Sequence, residues 1–174
     1  ADLLNLCAFL APDDIPKELL DKGVSHLPES LAAAVQDSLA FDDALAVHRL
    51  VQAVVRDRLD EAGRKQWAGV AVELVNASLS ADVDTNMEVW PWYSRLLPQA
   101  LAAAGHAETV KTGLPAAGRV FNQCGFYMQI RAEFAGAQAC YERALAICRQ
   151  FLGEDHPHTQ LVKRNLAALD LPEN

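Results

Sequence analysis

Between Gly23 and Val47 the 174-residue chain has no lysine or arginine, while Glu29, Asp37, Asp42 and Asp43 are acidic. The whole chain carries a formal net charge of -8. Both facts argue against nucleic-acid binding, because displacing counterions from phosphates takes a basic surface. No Gly-rich loop ends in Gly-Lys-Ser/Thr, so no triphosphate is cradled in that way. No apolar run approaches the length of a membrane span, and no basic, apolar, cleavable leader opens the chain. A cytoplasmic setting without membrane contact is expected. No Ser, His and Asp set has a nucleophile motif around it, so no catalytic residue is assigned. Cysteine is scarce, at positions 7, 124, 140 and 148, with no Cys-x-x-Cys pair. These four read as small buried hydrophobes in a reducing compartment; disulfides or a metal site are the alternative. No stretch alternates apolar and polar residues long enough for a strand, and an all-α fold is expected.

What the chain does contain is apolar residues, 51% by the broad count, with alanine prominent among them. Leu3, Leu4, Leu6, Phe9 and Leu10 predict an opening helix. Asp14 is the expected N-cap of the next, with Leu19 and Leu20 inside it and Gly23 at its end. Ser30 to Ala40 predicts a third, with Leu31, Ala34, Val35 and Leu39 on one face; Phe41-Asp42-Asp43 begins something short. Val47 to Leu59 is amphipathic. Its spacing turns Val47, Leu50, Val51, Val54, Val55 and Leu59 inward and Arg49, Gln52, Arg56 and Arg58 outward. A helix over 60–79 presents Trp67, Val70, Ala71, Leu74 and Val75, and Ser80 to Thr85 reads as a loop. A helix within 86–104 holds Trp90, Trp92, Tyr93, Leu96, Leu97 and Leu101. Pro98 should kink it near Ser94, and Gly105 should cap it. The Trp90, Trp92 and Tyr93 cluster reads as mostly core, with an exposed contact patch as the alternative.

Residues 111–152 organise the rest. Leu114, Ala117, Phe121, Cys124 and Met128 recur at steps of three and four. After a short polar break, Phe134, Ala137, Tyr141, Ala144, Cys148 and Phe151 repeat the pattern. Two such helices with so short a connection fold back antiparallel. Gly125, Ala137 and Ala144 permit close approach. Phe121, Cys124-Gly125 and Met128, then Ala137, Tyr141 and Ala144, resemble the tetratricopeptide repeat, and YERALAI followed by FLGEDHPHT resembles the kinesin-light-chain type. Leu166-Ala167 looks like the next large–small pair, with Lys163 where an apolar residue is expected. The resemblance implies one full repeat, part of a second, and a right-handed solenoid start. If Phe121, Cys124 and Met128 face the core, then Asn122, Phe126 and Gln129 face a partner groove; solvated positions or cover for an adjacent repeat are the alternative. His156-Pro157-His158 reads as a helix-opening turn rather than a metal site.

LLNLCAFLAPDDIPKELL and VHRLVQAVVRDRL together resemble the winged-helix region of bacterial NB-ARC-type signal-transduction NTPases, with Val47-His48-Arg49 in place of that family's Met-His-Asp motif. No wing hairpin precedes Val47, and Arg49 stands where the eukaryotic motif has an acid. The resemblance implies that His48 reaches a nucleotide phosphate held by an NTPase domain of the same polypeptide; a helix-start residue that only packs or meets solvent is the alternative. It also implies three parts: a winged-helix-like segment over 1–59, connecting helices over 60–106 and the repeat region over 107–174. The expected role is non-enzymatic, with no cofactor or metal of its own: binding a protein partner through the repeat groove and relaying it to a nucleotide switch. A free-standing adaptor that binds a peptide is the alternative. Self-association through the open end of the repeat array is a further expectation.

Overall fold

The computed structural model describes residues 1–36, 43–79 and 86–169. Among the described residues the fold is all-α apart from one two-residue ladder. The front comprises α1 (Asp2–Cys7), β1 (Ile15–Pro16), α2 (Lys17–Lys22), α3 (Glu29–Gln36), β2 (Ala44–Leu45) and α4 (Arg49–Arg58). Behind it come α5 (Glu61–Ser78), α6 (Trp90–Val110), α7 (Leu114–Ile130), α8 (Phe134–Leu152) and α9 (Pro157–Ala168). None of the described helices is long and apolar enough to cross a membrane. The expected ends near Leu39 and Ala40, the Phe41-Asp42 start and the loop at Ser80 to Thr85 lie outside the described residues.

The ladder is antiparallel, with Ile15 opposite Leu45 and Pro16 opposite Ala44. Backbone bonds from Val47 N–H to the Pro12 carbonyl and from Lys17 N–H to the Asp43 carbonyl flank it. No strand was expected, because two residues are too few to show alternation. The opening helix is also shorter than expected. Phe9 and Leu10 lie past its end, yet both are buried.

Asp14 does not cap α2. Its φ is 49°, and the residue at the cap position is Pro16. The Asp14 carboxylate instead takes Arg95 of α6 in a bidentate grip, with Nη2–Oδ1 at 2.7 Å and Nε–Oδ2 at 2.9 Å. A guanidinium fork offers a stronger partner than one backbone amide.

α5 is the spine of the molecule. Asp60 caps it, accepting from Gly63 N–H at 2.7 Å. Trp67, Ala68, Ala71, Val72, Leu74, Val75 and Ser78 are buried along it. Such a broad face lets α5 touch α1 and α2 on the front side and α6 and α7 behind. One apolar core therefore runs from Leu6 to Val162.

From α5 onward each helix packs on the next. α6 passes through Gly105 and ends at Lys111, whose φ is 56°. A helical glycine costs only about 1 kcal/mol, and this one leaves room for Arg143 of α8, which reaches Glu108. The α7–α8 hairpin forms as its spacing predicts. A Cβ on Gly125 would lie 2.9 Å from the Tyr141 ring and 3.2 Å from the Ala137 carbonyl. Gly118, two turns earlier, faces Ile147 and Cys148. Early residues of α7 thus meet late residues of α8, so the pair is antiparallel. Phe134 and Phe151, the ends of the second stripe, are about half exposed. A pattern of threes and fours drifts about 20° per heptad around a straight helix, which carries its two ends to opposite edges of the face.

The inward face of α4 is rotated from the one expected: Val47, Val55 and Leu59 pack against the core, but the other half of the apolar stripe does not. Gln52 is buried, whereas Leu50, Val51 and Val54 are 66%, 45% and 50% exposed. Gln52 Nε2 donates to the carbonyls of Cys7 at 2.7 Å and Leu10 at 3.1 Å. Arg56 donates to the Ala8 carbonyl. α1 ends there, and the last carbonyls of a helix have no partner within it. Donors on α4 satisfy them, so the polar face turns in.

Candidate functional site

α9 packs on α8, and a pair of asparagines joins it to α7. Asn122 on α7 is buried at 5% exposure. Its Oδ1 accepts from Asn165 Nδ2 on α9 at 3.0 Å. Beside this pair lies a cavity of about 170 Å³ lined by Asn122, Gln123, Phe126, Leu161 and Asn165. Its walls join three amides and an aromatic ring to a leucine. Amides donate and accept alike, so such a wall can bond a partner's backbone without selecting charge.

Two of the three predicted groove residues, Asn122 and Phe126, line this cavity. Gln129 does not. Its Oε1 accepts from Tyr141 Oη at 2.8 Å, which places it in the α7–α8 contact. Tyr141 is fully buried, so its hydroxyl needs a partner within the protein, and Gln129 supplies one. Gln123, Leu161 and Asn165 were not anticipated. Asn165 directly precedes Leu166-Ala167 as Asn122 and Gln123 precede Cys124-Gly125, and that neighbourhood was the available signal.

His48 is the N-cap of α4. Its Nδ1 accepts from Leu50 N–H at 3.2 Å. An accepting Nδ1 leaves the proton of the neutral ring on Nε2. His48 shares a cavity of about 280 Å³ with Pro12, Asp13 and Arg49. His156 does the same for α9, accepting from His158 N–H at 3.1 Å, so the His-Pro-His run is a helix-opening turn. Among the described residues no three His, Cys, Asp or Glu side chains are gathered to hold a metal ion.

All four cysteines are buried free thiols. Burial pushes Cys7 up to about 12 and raises Cys124, Cys140 and Cys148 as well. Thiols held protonated in this way are poor nucleophiles. The aromatic cluster near the start of α6 is mostly interior. Tyr93 is buried with its ring 5.2 Å from that of Tyr127. Trp92 Nε1 donates to the Ser78 carbonyl at 3.0 Å, and Lys22 Nζ lies 4.2 Å from its ring centre.

No family model matches the chain, and neither a curated protein nor a solved structure matches it.

Proposed function

We propose that the chain is a non-catalytic interaction and relay element. A protein partner engages the wall between α7 and α9, and the packed helices from Trp67 to Ala104 carry that engagement to the front. The observation that carries this reading is the Asn122–Asn165 pair with Phe126 beside it. A buried and a half-buried amide on neighbouring helices, open to one cavity, suit an extended peptide, whose own backbone groups need partners. The stack of helices, each on its predecessor, supports the tetratricopeptide reading of 107–174. The order α1, β1, α2, α3, β2 over 1–59, with β1 paired to β2, supports the winged-helix reading of the front. In that reading residues 60–106 connect the two, the setting is cytoplasmic, and the nucleotide switch is a module of the same polypeptide. His48 would present Nε2–H to its phosphate while Nδ1 stays on Leu50.

A library of extended peptides, selected on the purified chain, tests the groove. Selected peptides should perturb the NMR signals of Asn122, Phe126 and Asn165, and Asn122→Ala should weaken them about tenfold. Peptides that map elsewhere would reject the groove. Turnover of ATP by a clean preparation of the chain would reject the non-catalytic role.

A further inference from the structure

The outward face of α4 is unused by the fold. Leu50, Val51 and Val54 are exposed, and Arg58 continues the same face one turn on. The opposite side, through Gln52 and Arg56, already holds the end of α1. Turning three large aliphatic side chains outward is therefore the consequence of a packing choice, and it leaves an apolar stripe open to a partner.

The charge around this stripe is opposite to that of the chain. On its exposed sides α4 carries Arg49 and Arg58 against the single acid Asp57, with Arg56 turned in to the Ala8 carbonyl, whereas the chain is -8 overall. Past the corner at Leu59 come the exposed acids Asp60 and Glu61, and then Arg64 and Lys65. Arg64 Nε donates to the Leu59 carbonyl at 2.9 Å, which pins that guanidinium near the end of α4. Arg64, Lys65 and Lys111 line a cavity of about 440 Å³ with Glu61, Thr109 and Val110. Lys65 is paired with Glu61. Arg49, Arg58, Arg64 and Lys111 have no ion pair among the described residues.

We propose that this face docks an amphipathic helix of a protein partner whose apolar stripe is flanked by Asp and Glu. Aliphatic side chains at 50, 51 and 54 present one helix face, which suits the i, i+3, i+4, i+7 anchors of a second helix. Acids beside those anchors meet Arg58 on the same face and Arg64, which is held at the end of the helix. A second copy docking through this same face would set Arg58 against Arg58, with only Asp57 at its edge. An anionic bilayer would confront the whole molecule and its charge of -8. The proposal is independent of the groove between α7 and α9.

The probe is a labelled helical peptide with leucines at helix-face spacing and glutamates on their flanks, followed by fluorescence anisotropy. A second peptide carries lysines in place of the glutamates. The acidic peptide should bind and weaken with added salt, and the lysine peptide should not bind. Val54→Asp and Arg58→Glu should each weaken binding at least about tenfold. Both sites are at the surface, so the variants' circular dichroism and melting should match the parent. Asn122→Ala should bind the peptide as the parent does. Failure of the acidic peptide to bind would overturn the proposal. So would equal binding of both peptides, parental binding by both variants, a dimer abolished by Val54→Asp, or recruitment to anionic vesicles.

Discussion

Gln52 Nε2 stands 2.7 Å from the Cys7 carbonyl, joining the middle of α4 to the end of α1 across 45 residues of sequence. It is one of two buried glutamines that do this work. Gln99 of α6 accepts from Ala11 N–H at 2.9 Å and donates to the Asp13 carbonyl at 2.7 Å. The irregular segment from Cys7 to Asp14 is therefore held from both sides by side-chain amides. Gln52→Leu would strand the Leu10 carbonyl and leave that of Cys7 with only the bond from Leu10 N–H, at a cost of about 1–3 kcal/mol. Val54→Ser, on the exposed side of the same helix, should change stability by no more than about 0.5 kcal/mol. Urea unfolding of the two variants measures the difference. If Val54→Ser proved the more damaging, the orientation of α4 would be wrong.

Gly125 and Gly69 make a matched pair. Both are helical, so alanine at either gains up to about 1 kcal/mol in propensity. At Gly125 the new methyl would meet the Tyr141 ring at 2.9 Å and the Ala137 carbonyl at 3.2 Å. Overpacking of this kind costs about 1–3 kcal/mol, so Gly125→Ala should destabilise. At Gly69 the nearest atom is Thr112 Oγ1 at 3.4 Å, an ordinary contact. Gly69→Ala should stabilise, and thermal melts of the two should move in opposite directions.

Acid should weaken the fold in two stages. Burial, with Arg56 nearby, holds His106 below its ordinary value of 6.5, and burial lowers His158 likewise. The folded state prefers both rings neutral. Their contribution is whole above about pH 6.5 and is lost as pH falls through the depressed folded values. Asp14, held low by Arg95, adds a separate loss beginning below 3.8. In melts run from about pH 8 to about pH 5, the midpoint should fall. His106→Phe should make that fall shallower and leave the part due to His158. A slope unchanged by the substitution would count against the buried neutral ring.

Arg95 ties α6 to both sides of the two-residue ladder, through Asp14 and through Asp43 at 3.2 Å. The acids are largely exposed, which limits each pair to about 0–1 kcal/mol. Arg95→Met should therefore cost roughly 1 kcal/mol in dilute buffer. The deficit should shrink as salt is added, because screening removes it from the parent as well. A loss insensitive to salt would assign the role of Arg95 to packing of its stem.

The α7–α8 hairpin was legible because its signal is local. Large and small residues alternate at helix spacing on both arms, and a three-residue connection leaves one way to fold. Asn122 and Phe126, which line the cavity, followed from that pattern as residues off the apolar stripe. Gln129 did not, since the hydroxyl it satisfies belongs to Tyr141, twelve residues away on the other arm. Asn165 was invisible for a related reason: one asparagine marks a groove only when a facing helix brings a second to it.

The amino-acid sequence by itself determined that the chain is helical, where most helices lie, and that two of them form an antiparallel pair. Periodicity and propensity act within a few turns, and those properties need nothing more. Only the tertiary structure decided which side of α4 turns inward. Apolar spacing ranks the faces of an isolated helix by their transfer free energy. It carries no account of the unpaired carbonyls that another helix end presents. At the end of α1, Gln52 and Arg56 turn in to those carbonyls; Val47, Val55 and Leu59 still reach the core, and Leu50, Val51 and Val54 are left to the solvent side.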